Sequence, residues 1–351
     1  MLTFLSVAFL IYGSMHLYVI GKVWMSFPHS LALGLALSLA GLVLTFSPLF
    51  VWFLERQSWH RATVTTAWVS YTWMGYLFLF VCIGLVFDLG HALATLFNFN
   101  WPLNQATALR AVALLALALL GYGSVEARRI QIKEVHITTP KLASGRVTIA
   151  QLSDLHLGIM NGEEFLDRVI ATLRKLNPDI VVATGDIVDG QGDNLAALAR
   201  HFRSYTPPLG AYAVTGNHET YVGLEDSLRF LRNAGFTVLR GESVRAGGIV
   251  LAGVDDPSAA ISGQPARLDT REALASASVK DFIVLLKHQP VVDKDTPFDL
   301  QLSGHIHGGQ IFPFVFLTRL AYRVRTGLTD GNATEVVSGD LNEGEEVIVG
   351  S

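Results

Sequence analysis

The sequence predicts a chain of two parts, an N-terminal block of four membrane-spanning helices followed by a domain of mixed α and β structure. Three observations carry this. Of the 351 residues, 50% are hydrophobic and only 16% charged, against about 25% charged in an ordinary soluble domain. The chain has 26 Lys and Arg and 30 Asp and Glu, yet residues 1–125 hold only Lys22, Glu55, Arg56, Arg61, Asp88 and Arg110. From residue 130 onward, short apolar runs rich in β-branched residues alternate with stretches of helical periodicity. So apolar a chain is not disordered. A net charge of -4 gives no basic field, and no nucleic-acid partner is expected.

Four apolar stretches, residues 2–20, 31–54, 64–87 and 106–123, are each of a length to cross about 30 Å of hydrocarbon. Their only internal charge is Arg110, near the start of the fourth, where it can snorkel to the interface. Trp24, Trp52, Trp59 and Trp101 fall near the predicted ends, as in an aromatic belt. His16 and Asp88 also lie near the ends and are expected at the interface. No broken span and no repeated pair of charged sites points to a transporter. The single cysteine, Cys82, cannot form an internal disulfide. An even number of spans puts the N-terminus, the loop at 55–63 and the C-terminal domain on one side. That side carries Arg56, Arg61, Arg128, Arg129 and Lys133, against Lys22 and Arg110 on the other. The bias places the C-terminal domain in the cytoplasm.

Residues 126–144 read as a linker with a first strand. Strands are predicted at 147–152, 179–184, 211–215, 237–239, 249–254, 283–286 and 300–302. Helices are predicted at 163–176, with Phe165, Val169, Ile170 and Leu173 on one face, and at 195–202 and 228–234. Alternating strands and helices argue α/β architecture.

Five polar clusters follow the strands: Ser153-Asp154-Leu155-His156, Gly185-Asp186, Gly216-Asn217-His218-Glu219, Lys287-His288 and Gly304-His305-Ile306-His307-Gly308. Strand ends are where α/β folds gather ligands. Taken singly, each has a bland reading. Gly-Asp and Asn-His are common in turns, and a lone His288 is more often a satisfied histidine than a ligand. His-x-His is stronger, since residues two apart share a face of an extended segment. Together they supply two carboxylates, one amide oxygen and four imidazoles, before counting His218. That donor set suits Mn, Fe, Zn, Ni or Co rather than calcium. Seven ligands exceed one ion and fit two if a carboxylate bridges.

The set Asp154-x-His156, Gly185-Asp186, Gly216-Asn217-His218-Glu219, His288 and Gly304-His305-x-His307 resembles the calcineurin-like metallophosphoesterase superfamily over roughly residues 145–315. The phrases QLSDLHLG, VATGDIVDG, AVTGNHE and LSGHIHGGQ are most similar to its bacterial, membrane-associated YkuE/YaeI-type branch. The resemblance implies a four-layer α/β/β/α sandwich with the metals at the strand ends. It implies that Asp154, His156 and His307 hold one divalent ion and Asn217, His288 and His305 a second, with Asp186 bridging. Asp186 and His218 are the expected catalytic residues, and Asn217 and His218 the expected substrate contacts, with His218 serving the leaving group. Glu219 is expected to orient His218, and Asp189 and Lys287 to have turn or surface roles. The implied reaction is hydrolysis of a phosphodiester or pyrophosphate bond by metal-activated hydroxide. A membrane-tethered site in this branch implies a bacterial inner-membrane protein and a lipid-linked phosphate such as UDP-2,3-diacylglucosamine in lipid A biosynthesis. A general phosphodiesterase is the equal alternative. A membrane sensor whose domain binds metal and phosphate without turnover is the rival class.

The phosphoesterase-like domain is predicted over 145–322. Residues 323–351 depart from it. From Val324 they read VRTGLTDGNATEVVSGDLNEGEEVIVG, which resembles the membrane-proximal end of periplasmic adaptor subunits of tripartite efflux pumps. That implies a junction near residues 320–325 and a sheet without its closing strands.

Overall fold

The computed structural model describes residues 2–57, 59–142, 145–190, 195–292 and 296–307, together with Leu320 and Val349–Gly350. It divides into two compact units, Met1–Arg129 and Ile130–Ser351.

The first unit contains α1 (Leu2–Ser26), α2 (Leu31–Arg56), α3 (His60–Leu96) and α4 (Gln105–Glu126). All four are long and apolar enough to cross a membrane. They outrun the apolar stretches because polar flanks such as His60–Thr63 continue the helix beyond them. At 1.5 Å per residue, the 37 residues of α3 reach about 55 Å, well beyond a hydrocarbon core of about 30 Å. The side-chain oxygens of Ser30 and Asn104 cap α2 and α4 by accepting the Leu33 and Thr107 N–H groups. α1 packs on α2, α3 and α4. Phe80, Val112 and Ala116 are buried among Tyr18, Tyr76 and Ile83, while Leu10, Leu31 and Leu42 point outward. Helices apolar on every side need an apolar solvent around the bundle.

His16 is not interfacial. It is buried inside the bundle, where Trp73 Nε1 donates to its Nε2 at 2.9 Å and its Nδ1 lies 3.0 Å from the Tyr12 carbonyl and 3.1 Å from Thr45 Oγ1. The Trp73 contact requires a lone pair on Nε2, so the ring is neutral and links α1 to α2 and α3. Asp88 lies eight residues inside the end of α3, where Lys22 pairs with it and the Tyr18 hydroxyl donates to it at 2.8 Å.

The second unit runs β1 (Ile132–Lys133), β2 (Ile149–Leu152), α5 (Glu163–Leu176), β3 (Ile180–Thr184), α6 (Leu195–Phe202), β4 (Ala211–Val214), α7 (Asn217–Asn233), β5 (Phe236–Val238), β6 (Glu242–Ala246), β7 (Ile249–Gly253), the 3-10 turn η1 (Pro257–Ile261), α8 (Thr270–Ala273), β8 (Phe282–Leu286), β9 (Leu300–Leu302) and β10 (Val349–Gly350). One sheet has the order β2-β3-β4-β5, all parallel, with Ala150 opposite Val181 and Val182 opposite Tyr212. The second has the order β6-β7-β8-β9, with only β6 antiparallel to its neighbour. β1 and β10 form a short antiparallel pair. Apart from Val349–Gly350, the predicted tail at 323–351 lies outside the described residues.

Side-chain alternation builds the layers. On β3, Val181 and Ala183 face Leu166 and Val169 of α5, Leu198 of α6 and Leu231 of α7. Ile180 and Val182 face the opposite way, onto Leu251, Val284 and Leu286 of the second sheet. The far side of that sheet presents Val250, Ala252, Ile283 and Leu285 to Ala273 and Leu274. The result is a sandwich of helices, sheet, sheet and helix. Because β2, β3, β4, β7, β8 and β9 run parallel within their sheets, the loops after them gather at the C-terminal strand ends. α7 begins at Asn217, earlier than the helix predicted at 228–234. Gly223, at φ 128° and ψ 107°, breaks the helix internally, which separates a short first segment carrying Asn217, His218 and Glu219 from the apolar remainder.

Candidate metal centre

The backbone at these strand ends is strained. Among the described residues, seven other than glycine have positive φ. Five of them are Asp154 (54°), His156 (45°), Asp186 (53°), His305 (76°) and His307 (48°). Left-handed backbone is costly for such residues and is retained where surrounding structure enforces it. The enforcement is visible. The loops after β2 and β3 continue as a paired ladder, with Asp154 N–H donating to the Gly185 carbonyl at 3.1 Å, His156 N–H to Asp186 at 3.0 Å and Leu157 N–H to Ile187 at 2.8 Å. Gly185 lets these loops cross. A Cβ there would sit 2.6 Å from His288 Nδ1 and 2.7 Å from the Gly216 nitrogen. His305 and His307 therefore do not share a face through strand alternation, as an extended His-x-His would. Each sits in a left-handed turn beyond β9, and they reach different partners.

Two clusters of donor atoms form around Asp186, and a third group, His156, Asp189 and His218, adjoins them. In one, His156 Nε2 lies 3.2 Å from His307 Nε2, and His307 Nε2 lies 3.4 Å from Asp154 Oδ1. In the other, His288 Nε2 is 3.2 Å from Asp186 Oδ2, 3.1 Å from Asn217 Oδ1 and 3.2 Å from His305 Nδ1. Asp186 stands between them, since its Oδ2 also lies 4.0 Å from His156 Nε2. Its Oδ1 accepts the His218 N–H from the start of α7 at 2.8 Å, which leaves Oδ2 for the clusters. Asp154, His156 and His307 form one set whose ligand atoms are near enough to share a metal ion, and Asp186, His288 and His305 form another.

The tautomers suit metal binding. His288 Nδ1 lies 2.8 Å from the Thr184 carbonyl, which can only accept. Nδ1 therefore carries a proton, and Nε2 is the atom that would meet a metal, which would displace the proton that Asp186 otherwise holds there. Burial favours the neutral form of both Asp186 and His288. Their mutual contact outweighs this, raising His288 to about 9 and holding Asp186 down at about 2. The carboxylate thus draws positive charge into the site. Burial, together with neighbouring histidines, pushes His156 and His305 below the ordinary histidine value, which favours the neutral, ligating imidazole.

Two residues read as secondary in the sequence have larger roles in the geometry. Asp189 Oδ1 is 2.6 Å from His218 Nδ1, and its Oδ2 is 3.7 Å from His156 Nδ1. Burial opposes charge on His218, but the Asp189 bond together with the charges of Asp186, Asp189 and Glu219 outweighs it and raises the ring above its ordinary value. Glu219 does not orient that ring. It is fully buried, and its carboxylate accepts the backbone N–H groups of Asp186 (2.9 Å), Ile187 (2.7 Å), Val188 (3.1 Å) and Gly216 (2.7 Å). It clamps the loop after β3 to the start of α7. The available signal was spacing. Asp189 lies three residues after Asp186, one turn-length away on the same loop.

The family model for the calcineurin-like phosphoesterase matches residues 147–309. An uncharacterized metallophosphoesterase of Aquifex aeolicus is 41% identical over 222 residues, which cover 62% of this chain and 85% of that relative. The chain belongs to the calcineurin-like phosphoesterase family. YkuE, an uncharacterized metallophosphoesterase of Bacillus subtilis, is 34% identical over 222 residues, covering 59% of this chain and 76% of that relative. A transmembrane protein with metallophosphoesterase domain from Danio rerio is 34% identical over 227 residues, covering 60% of this chain but only 52% of its own length. The chain thus spans about half the length of that relative. The calcineurin-like phosphoesterase is a hydrolase, and its family uses divalent metals, for which these clusters offer ligands.

Proposed function

We propose that this protein is a membrane-anchored phosphoesterase that hydrolyses a phosphodiester or pyrophosphate bond with two divalent ions, drawn from Mn, Fe, Zn, Ni and Co. Asp154, His156 and His307 hold one ion, and Asn217, His288 and His305 the other, with Asp186 shared. The observation that carries this reading is the convergence of both donor sets on Asp186 Oδ2, at 3.2 Å from His288 and 4.0 Å from His156. The residues fit the ions chemically. Neutral imidazoles and carboxylates are their preferred donors, and His156 and His307 face each other through Nε2 beside the Asp154 carboxylate. When bound, the ions supply positive charge for the phosphoryl oxygens and acidify the water that attacks phosphorus.

The protein's own groups do the rest. Asn217 and His218 face the phosphoryl group. Asp189 holds His218 through Nδ1, so Nε2 is the atom that gives a proton to the departing oxygen. Asp186 is fixed by the His218 N–H, so the same turn that carries the proton donor also sets the shared carboxylate. Four apolar helices on the chain favour a substrate found at a bilayer, with a lipid-linked phosphate such as UDP-2,3-diacylglucosamine as one candidate. The Lys and Arg bias favours a cytoplasmic phosphoesterase domain at a bacterial inner membrane.

Purified full-length protein should hydrolyse bis(p-nitrophenyl) phosphate with added Mn²⁺ and lose activity with a chelator. His218→Ala should retain two ions per chain by elemental analysis and lose roughly 10²–10⁴-fold in kcat, the usual worth of general acid catalysis. Asp186→Ala should lose both activity and bound metal. Chelator-resistant hydrolysis, or full metal content in Asp186→Ala, would count against the reading.

A further inference from the structure

A sixth polar step follows a strand at this edge. β7 runs parallel to β8, so Asp255-Asp256, just after β7, emerges beside Lys287-His288. Both aspartates are 1% exposed, and a carboxylate taken so far from water needs its charge matched. For Asp255 the match is visible. Arg240 donates to its two oxygens, through Nε at 2.8 Å and Nη2 at 2.9 Å. Asp256 differs. Its Oδ1 accepts the Ser258 N–H at 2.8 Å, which caps η1, and its Oδ2 accepts Gln289 Nε2 at 2.9 Å. Both donors are neutral amides, and among the described residues no lysine or arginine pairs with it.

The two aspartates also tie together particular loops. Thr215 Oγ1, two residues before Asn217, donates to Asp255 Oδ1 at 3.1 Å. Gln289, held by Asp256, directly follows His288, and the His288 carbonyl accepts the Gly304 N–H at 2.9 Å, one residue before His305. The step thus reaches the loops that carry Asn217, His288 and His305, the three residues assigned with Asp186 to one ion. Asp154 and His156 are held otherwise, by the ladder between the loops after β2 and β3. Asp256 lies near enough to His305 that its charge counters, in part, the effect of burial on that ring.

We propose that Asp256 is a positioning residue for the ion assigned to Asn217, His288 and His305. It does not ligate that ion. It balances the ion's charge from behind the ligands and holds the His288 loop through Gln289. The inference rests on the two-ion reading above. A divalent ion in that cluster is the positive charge that the buried carboxylate otherwise has no partner for, and groups at this remove from a metal commonly change its affinity by roughly 10–100-fold.

Asp256→Asn isolates the charge. Asparagine caps a helical turn as well as aspartate does, and the Gln289 amide can turn to offer its oxygen to the new NH₂ group. Metal-free full-length protein in detergent, titrated with Mn²⁺ against a fluorescent chelator, should bind two ions in wild type. In Asp256→Asn one ion is expected to bind as before and the other roughly 10–100-fold more weakly. The electron paramagnetic resonance spectrum should then change from that of a coupled Mn²⁺ pair to that of isolated ions. Thermal unfolding of the metal-free proteins separates charge from support. Asp256→Asn should melt at or above wild type there, because it removes a buried charge without a partner. A lowered Tm in the metal-free variant, two unchanged affinities, or equal weakening of both ions overturns the assignment and leaves the two-ion reading standing. A wild type that binds fewer than two ions overturns that reading as well.

Discussion

At the scale of single residues, the Asp189–His218 contact at 2.6 Å makes a prediction about pH. Burial depresses His218, and the Asp189 hydrogen bond together with the charges of Asp186, Asp189 and Glu219 more than restores it, so the folded ring titrates above the ordinary histidine value. If the protonated ring donates to the leaving group, activity is present below that pKa and falls as pH rises through it. Asp189→Asn removes one of the charges that raise the pKa, the one in direct contact with the ring, so the basic limb of the kcat/KM profile should move to lower pH. A limb that stays in place would show that Asp189 only supports the loop. The sequence placed Asp154, His156, Asp186, Asn217, His218, His288, His305 and His307 in one order after apolar strands, and the fold brings all of them to one edge. It did not show what joins them. Asp189 looked like turn chemistry, because an aspartate three residues after Gly-Asp is ordinary in a loop. The left-handed turns at His305 and His307 were also hidden, because His-x-His carries no local mark of positive φ.

At the scale of elements, legibility followed burial. The predicted 163–176 helix coincides with α5, whose face of Leu166, Val169, Ile170 and Leu173 is buried, and β9 matches its predicted residues. β6 was missed. It pairs only with β7, at the edge of its sheet, and its Glu242 and Arg245 are exposed, so no apolar alternation marks it. The start of α7 was missed for a different reason. Asn217, His218 and Glu219 are held by the site rather than by an apolar face, and Gly223 interrupts the periodicity. Glu219 is the residue that makes this segment an element. Four backbone N–H groups converge on its buried carboxylate, and an amide in its place would turn an NH₂ donor toward other donors. Glu219→Gln should therefore cost roughly 1–3 kcal/mol of stability. In thermal unfolding of the detergent-solubilised protein it should lower the Tm, and metal affinity should weaken because Asp186 sits on the clamped loop. An unchanged Tm would mean that the clamp contributes no net stability.

At the scale of the whole molecule, the uneven charge distribution makes a claim about sidedness. α1 to α4 are four helices capable of crossing a membrane, and an even number returns the chain to the side on which it began. The turn between α2 and α3 is flanked by Arg56 and Arg61, and α4 is followed by Arg128 and Arg129. The opposite side carries Lys22, paired with Asp88, and Arg110 at its margin. By the positive-inside rule we predict that the α2–α3 turn and the phosphoesterase domain lie on the cytoplasmic side. The chain supplies its own tool for testing this, since Cys82 is its only cysteine. With Cys82→Ala as background, Gln57→Cys places a thiol in the α2–α3 turn, and Asn100→Cys places one in the loop between α3 and α4. A membrane-impermeant maleimide added to intact spheroplasts should label Asn100→Cys and reach Gln57→Cys only after permeabilisation. The reverse pattern would put the catalytic domain outside the cytoplasm and exclude substrates confined to the inner leaflet. Equal labelling of both positions in intact cells would show that α3, which lies between them, does not cross the bilayer.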